Sequence, residues 1–418
     1  MEDEFEDFIE DDLAGDLEAA QQALDQGEDQ VALELAEEYL ETSPLDVEAL
    51  NICAVAASNL GDTLKAMALY QKALRFDPQN GALHHNYGVL LERLGDYHEA
   101  LRHFQRCLEL QPDFPEAYIN MGNTLDELGR TEEALALYDQ ALRRAPDAPD
   151  VYFNRGYAFN RLGRFVEAVE SFTHALAFDA GDPAALNGLG YALSGLGREQ
   201  EAVEKFTAAI AKDNSVANYF YNRAISLIRL GNPAAASSDL DAALALEPTF
   251  YEALIEKASL LIEMDYLEEA LLVLDDAQRV NPLSPEPAFY RGVIQERKGH
   301  LREALAALDE SLRLDPASIY SLNNKGNILI DLGRLDEAMV CFDQILARTD
   351  DYPLAHYNRA CIHALRGQVR EAARELGKAA AREEHFLDDA LNDPDFERVR
   401  ESRTFQKLVE SRGSGGHV

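Results

Sequence analysis

A period of 34 residues constrains this chain more than anything in its composition. The clearest copy runs from Pro115 to Ala148, PEAYINMGNTLDELGRTEEALALYDQALRRAPDA. Apolar and small residues recur there at three- and four-residue spacing on both sides of Gly129, so two amphipathic helices meet at one turn. Copies begin at Leu13, Val47, Gly81, Pro115, Pro149, Pro183, Ala217, Tyr251, Pro285, Ile319 and Pro353. They end at Phe386 with no insertion or deletion. Neither helix of one copy could bury its apolar face alone, and stacking the copies supplies the missing partner. The expectation is an all-α solenoid in which each repeat touches mainly its neighbours.

Taking Pro115 as position 1, position 20 is alanine in every copy, and position 8 is always Gly or Ala. Position 15 is Gly except at Asp265. Position 24 is usually aromatic or leucine, as at Tyr70, Phe104, Tyr138, Phe172, Phe206 and Phe342. This pattern resembles the tetratricopeptide repeat family in its bacterial multi-repeat form. The resemblance implies a right-handed superhelix of eleven helix-turn-helix repeats with a C-terminal cap. Its boundaries are an acidic extension over 1–12, the repeats over 13–386, and a capping helix with a disordered tail over 387–418. The tail segment offers Phe396, Val399, Phe405 and Leu408 to the exposed face of the last copy, in one or two short helices.

Charge narrows the partners. The formal net charge is −38, and residues 1–64 hold twenty Asp and Glu with no Lys or Arg. Such a field repels nucleic acid and anionic membrane surfaces, and favours basic partners or simply solubility. No run of eighteen apolar residues suggests a membrane span, and MEDEFEDFIEDD does not resemble a signal peptide. A cytoplasmic location is the default expectation. Phe5 and Phe8 in the acidic extension are compatible with a frayed extension, with extra helix on the first copy, or with a short docking segment, one that could act as a pseudo-ligand. Cys53, Cys107, Cys341 and Cys361 lack paired zinc or redox spacing and read as small packed hydrophobes.

Catalysis finds little support. The histidines are scattered, and His84 and His85 are helix neighbours that point apart. His356 and His363 share a face, but the sequence beside them supplies no matched carboxylate. There is no phosphate loop or nucleophile motif. The chain reads as non-catalytic and free of cofactors and metals.

The recognition signal lies on the first helix of each copy. Position 6 is Asn86, Asn120, Asn154, Asn222, Asn324 and Asn358, interrupted by Gly188, Glu256 and Tyr290. The family resemblance places this position on a concave groove, where its carboxamides hydrogen-bond the backbone of an extended peptide. A carboxamide suits that task because it donates and accepts at once. The resemblance adds positions 2, 5, 9 and 12 to the groove. These include Phe153, Tyr157, Tyr191, Tyr221, Phe289 and Tyr357, mixed with Asn51, His85, Asn123, Asn187, Asn323 and Asn327. Position 5 carries no Lys or Arg, which argues against the family's clamp for acidic chaperone tails.

Two charge patterns read as structural. Position 13 alternates through Arg93, Glu127, Arg161, Gly195, Arg229, Glu263, Arg297 and Asp331, so neighbouring copies should pair opposite charges. Four consecutive copies combine a base at position 7 (Arg223, Lys257, Arg291, Lys325) with Asp241, Asp275, Asp309 and Asp343 at position 25. That combination predicts inter-helix ion pairs. The reading is a scaffold or adaptor for extended peptides. Self-assembly into a homo-oligomer through repeat surfaces is the alternative.

Overall fold

Each half-repeat is a helix of three to four turns, too short to persist unpacked in water, and the architecture follows from how these helices lean on one another. The computed structural model describes residues 17–349 and 351–410. The acidic extension over 1–12 and the tail over 411–418 lie outside the described residues. The described residues are helical, with no strand among them.

The chain divides into two compact units, residues 1–214 and 215–418. The first contains α1 (described over 17–25), α2 (Asp29–Thr42), α3 (Val47–Asn59), α4 (Thr63–Phe76), α5 (Gly81–Arg93), α6 (Tyr97–Leu110), α7 (Pro115–Glu127), α8 (Thr131–Arg144), α9 (Pro149–Arg161), α10 (Phe165–Phe178), α11 (Pro183–Gly195) and α12 (Glu199–Lys212). The second contains α13 (Ala217–Arg229), α14 (Pro233–Leu246), α15 (Tyr251–Glu263), α16 (Leu267–Val280), α17 (Glu286–Arg297), α18 (Leu301–Leu314), α19 (Ile319–Asp331), α20 (Leu335–Leu346), α21 (Pro353–Leu365) and α22 (Val369–Ala380). Within each unit, every first helix packs on the second helix of its own pair, and the second helix packs on the next pair. The boundary falls at Asn214, in one of the copies whose position 32 lacks proline.

Turn geometry explains the glycine of position 15. Gly61 adopts φ +84° and Gly129 φ +74°. At the first turn the Gly61 N–H donates to Ser58 O at 3.1 Å, and the Asp62 N–H to Ala57 O at 2.8 Å. Those two bonds are a Schellman stop, which needs a left-handed residue between them. Asp265 takes the same conformation at φ +63°, the one positive-φ non-glycine among the described residues. The residue after the stop also opens the next helix: the Asp62 carboxylate accepts from the Lys65 N–H at 3.2 Å. Entry to the first helices uses Pro115, Pro149, Pro183 and Pro353 at the N1 position, where the missing N–H costs nothing.

The repeated alanines form the spine of each unit. All eleven, from Ala32 to Ala372, are 0 % exposed. Position 24 lies beside them, with Phe104, Phe172, Phe342, Leu240, Leu274, Leu308 and Leu376 equally buried. These side chains fill the space that a small residue at position 8 leaves open. A Cβ at Gly88 would stand 2.7 Å from the Phe104 ring, and one at Gly122 would stand 2.6 Å from Tyr138.

The position-7 bases form ion pairs, but the partner comes from the preceding copy. Arg291 reaches Asp275 at 2.8 Å, Lys325 reaches Asp309, Arg359 reaches Asp343 at 3.4 Å, and Lys257 pairs with Asp241. Arg223 is different: it forms a two-pronged pair with buried Asp239 of its own copy, both contacts at 2.7 Å. Position 13 also departs from expectation. Arg161 donates to the Asp126 carbonyl at 2.8 Å, and Arg297 donates to the Ile262 carbonyl at 2.6 Å. Arg161 also reaches the Asp126 carboxylate at 3.5 Å, and Arg93 donates to Ser58 Oγ at 3.4 Å. Arginines there thus serve polar groups at the end of the preceding first helix, whose last carbonyls lack intrahelical partners.

After the last pair come α23 (Phe386–Asn392), a 3-10 turn (Pro394–Phe396), α24 (Glu397–Arg400) and α25 (Arg403–Glu410). These are more elements than the one or two short helices expected. Phe396, Val399 and Phe405 are buried against Tyr357, Cys361 and Leu376, with Leu408 packed beside them.

Candidate functional site

Four of the position-6 asparagines are tied to the copy before them. In the first unit, Asn86 Nδ2 donates to Asn51 Oδ1 at 3.1 Å, and Asn120 Nδ2 lies 2.9 Å from His85 Nε2. Asn154 Nδ2 donates to Asn123 Oδ1 at 2.9 Å, which also accepts from the Tyr138 hydroxyl at 2.9 Å. In the second unit, Asn358 Nδ2 donates to Asn323 at 3.2 Å and to Asn327 at 2.9 Å. Each donor thus reaches position 5 or position 9 of the preceding first helix. The ladder is a set of linked amides, half engaged before any ligand arrives.

Gly188 interrupts it for a steric reason. The Phe172 ring occupies the space a Cβ there would need, and the Gly188 carbonyl accepts from buried Asn160 Nδ2 at 2.9 Å. Beside this gap stands an aromatic group. Phe153 and Tyr157 meet edge to face at 4.9 Å, Tyr157 meets Phe172 at 5.2 Å, and the Tyr157 hydroxyl donates to Ala184 O at 3.1 Å. Tyr157 is 36 % exposed and Tyr191 48 %, so both leave ring surface uncovered. Tyr191 leans on Phe165, with centroids 6.3 Å apart.

In the second unit an acid interrupts the series, Glu256 at position 6. Half-buried Asn222 and Tyr221 lie on α13, with Tyr221 packed on Phe250 at 4.9 Å. Asn324 lies half-buried on α19, and Phe289 touches Tyr290 and Tyr320. Burial pushes the Glu256 carboxyl up, and repulsion from Glu263 and Glu286 adds to it. Glu296 is raised by burial and by Asp331 in the same way. Tyr357 departs from the expected role. It is 8 % exposed, its ring is covered by Phe386 and Phe396, and its hydroxyl donates to Asp393 Oδ2 at 2.7 Å. The segment after the last pair withdraws it from any ligand surface.

Two polar groups near that end were not legible in advance. His356 Nδ1 lies 2.8 Å from Glu375, a fully buried carboxylate also contacted by Lys378 at 3.0 Å. The matched carboxylate that the sequence beside His356 lacks is therefore present, on α22. Burial alone would raise Glu375, but hydrogen bonds from His356 and Lys378 and the charge of Arg359 outweigh it and hold the carboxyl below its usual value. This closed network locks α21 to α22. Cys361 lies with Asp393 and Asp395, one ligand atom from each within 4.8 Å of the others. Burial and the neighbouring aspartates push the Cys361 thiol well up, and Asp395 is raised too. The Cys361 thiol donates to Asp393 Oδ2 at 3.7 Å. The other three cysteines are buried and free.

Three models of the tetratricopeptide repeat match the sequence. One matches residues 17–81, 119–183 and 255–319, a second residues 79–147, and a third residues 297–361. No enzyme family is indicated. No curated protein matches the sequence. Among solved structures, the chain is similar to a tetratricopeptide repeat protein from Parabacteroides merdae, with 21% identity over 64% of this chain and 98% of that one, at a TM-score of 0.49. It is similar to yeast Tom70, at 15% identity over 96% and 99% of the two chains with a TM-score of 0.48. It is also similar to YrrB, described as a TPR protein with an unusual peptide-binding site, at 25% identity over 45% of this chain and 97% of that one with a TM-score of 0.40. No helix among the described residues is long and apolar enough to cross a membrane.

Proposed function

Because the chain belongs to the tetratricopeptide repeat family, whose repeats build protein–protein interaction scaffolds, we propose that it is a non-catalytic adaptor holding an extended peptide segment along its first helices. The observation that carries this reading is the carboxamide series Asn86, Asn120 and Asn154, one per copy and each half engaged. A peptide backbone presents one donor and one acceptor per residue, and a carboxamide matches both. Tyr157 and Tyr191 add flat apolar area beside it, the combination that gives binding surfaces their strongest contacts. Affinity is the surplus of these contacts over the entropy lost when the peptide is ordered.

The partner we favour is basic. Glu256 and Glu296 are half-buried carboxylates crowded by other acids, and a lysine or arginine of the ligand would relieve that crowding. Such binding weakens as salt rises. The test is selection from a random linear peptide library by the wild type and by an Asn86→Ala/Asn120→Ala/Asn154→Ala variant with unchanged helical circular dichroism. Peptides enriched by the wild type and lost by the variant support the groove reading. Equal enrichment by both overturns it and moves the function to the acidic extension or to self-assembly.

A further inference from the structure

His85 stands at the centre of a chain of four side chains crossing α3, α5 and α7. Asn86 Nδ2 donates to Asn51 Oδ1 at 3.1 Å. The other end of that amide, Asn86 Oδ1, lies 3.1 Å from His85 Nδ1. His85 Nε2 in turn lies 2.9 Å from Asn120 Nδ2. A neutral imidazole has one donor nitrogen and one acceptor nitrogen. Asn86 Oδ1 can only accept, so Nδ1 carries the hydrogen. Nε2 is then the lone pair, and it accepts from Asn120. One tautomer satisfies both contacts, and the bonds run in a single direction from Asn120 through His85 and Asn86 to Asn51.

The direction matters at Asn120, whose Nδ2 is committed inward to His85 while its Oδ1 has no partner among the described residues. We propose that His85 fixes the Asn120 amide with its oxygen offered to a ligand, so that this point accepts a peptide N–H, and that protonation of the imidazole turns the amide over and ends that recognition. The proposal rests on the peptide-binding reading above. A doubly protonated ring sets an Nε2–H donor against the Asn120 NH2. Rotating the amide by half a turn relieves the conflict, because Oδ1 then accepts from the ring and the NH2 faces the ligand. The site would change from acceptor to donor, and the ligand's N–H would meet another N–H.

The surroundings set where this happens. On α5, His84 turns away to His103, with Nδ1 atoms 2.9 Å apart. From α6 the Phe104 ring lies 5.9 Å away, and Phe114, just before α7, meets His85 edge-on at 4.8 Å. Asn51 on α3 is neutral, and Glu116 on α7 is the charged group that favours the imidazolium. Burial outweighs both the bond to Asn86 and Glu116, and His85 titrates below the ordinary histidine value.

The test uses the full chain with nitrogen-15 in histidine and asparagine. Long-range correlations at about pH 8 should report the Nδ1–H tautomer for His85, assigned by its loss in His85→Gln. On acidification to about pH 5, the Asn120 side-chain amide signals, assigned with Asn120→Ala, should shift with the His85 midpoint in the wild type and not in His85→Gln. An Nε2–H tautomer, or Asn120 signals that stay still while His85 titrates, overturns the proposal. Peptides selected by the wild type should bind about tenfold more weakly once His85 is protonated, and His85→Gln should remove that loss. A pH-independent affinity also overturns it. Failure to select any peptide would instead count against the groove reading, because the tautomer and amide measurements need no ligand.

Discussion

Gly156 on α9 lies so close to Phe172 on α10 that a Cβ at the glycine would stand 2.8 Å from Cε2 of the ring. Phe172 is fully buried and cannot give way without disturbing its own neighbours. Gly156→Leu should therefore destabilise this pair of helices by about 1–3 kcal/mol. Amide hydrogen exchange checks it, with faster exchange concentrated in α9 and α10. Unchanged exchange there would mean the contact is loose.

Arg223 and Lys257 make the same kind of pair in different surroundings. The Asp239 side chain is 9 % exposed and held by two contacts from Arg223, whereas the Asp241 side chain paired with Lys257 is 58 % exposed. Arg223→Ala strands a buried carboxylate and should cost about 3 kcal/mol. Lys257→Ala should cost less than about 1 kcal/mol. Urea unfolding of the two variants beside the wild type decides it, and equal losses would contradict the burial difference.

Stability of the first unit should fall on acidification. His103 is pushed down to about 4 by burial, by His84 and by Arg102. His84 is lowered by burial and Arg106, against the opposing influence of the Pro78 carbonyl and Asp77. Unfolded histidine titrates near 6.5, so between about pH 6.5 and about pH 4 the unfolded chain binds more protons and folding weakens as pH falls. Melting temperatures over that window should drop, and His103→Gln should flatten the slope. A slope unchanged by His103→Gln would remove this pair as its source.

Asp265 holds a turn at φ +63° where the other copies use glycine. Its Cβ makes the left-handed conformation costly, so Asp265→Gly should stabilise by about 1 kcal/mol. Gly129→Ala, at φ +74°, should lose a similar amount. Hydrogen exchange at the α15–α16 turn checks the first. Thermal melting checks the second.

The contrast between position 20 and position 7 shows which features are legible in a sequence. The alanines of position 20 are buried in every copy, as their recurrence implies, because the place that needs them is created within one helix pair. The position-7 bases were rightly expected to pair, yet Arg291 pairs with Asp275 of the preceding copy. That choice depends on how copies stack. Arg161 and Arg297, which serve backbone carbonyls in place of exposed acids, follow the same rule.

The candidate site divides in the same way. Recurrence of asparagine at position 6 and of rings at positions 5 and 9 is visible in the letters. The bond from Asn120 to His85, 35 residues back, is not. Nor is the loss of Tyr357 beneath Phe386 and Phe396. The sequence alone determined the helices, their turns and the buried spine, since these rest on local backbone preference and a 34-residue period. Tertiary structure decided which polar groups meet and which rings stay open. Hydrogen bonds and burial act over a few ångströms, and only the stacking of one copy on the next sets those distances.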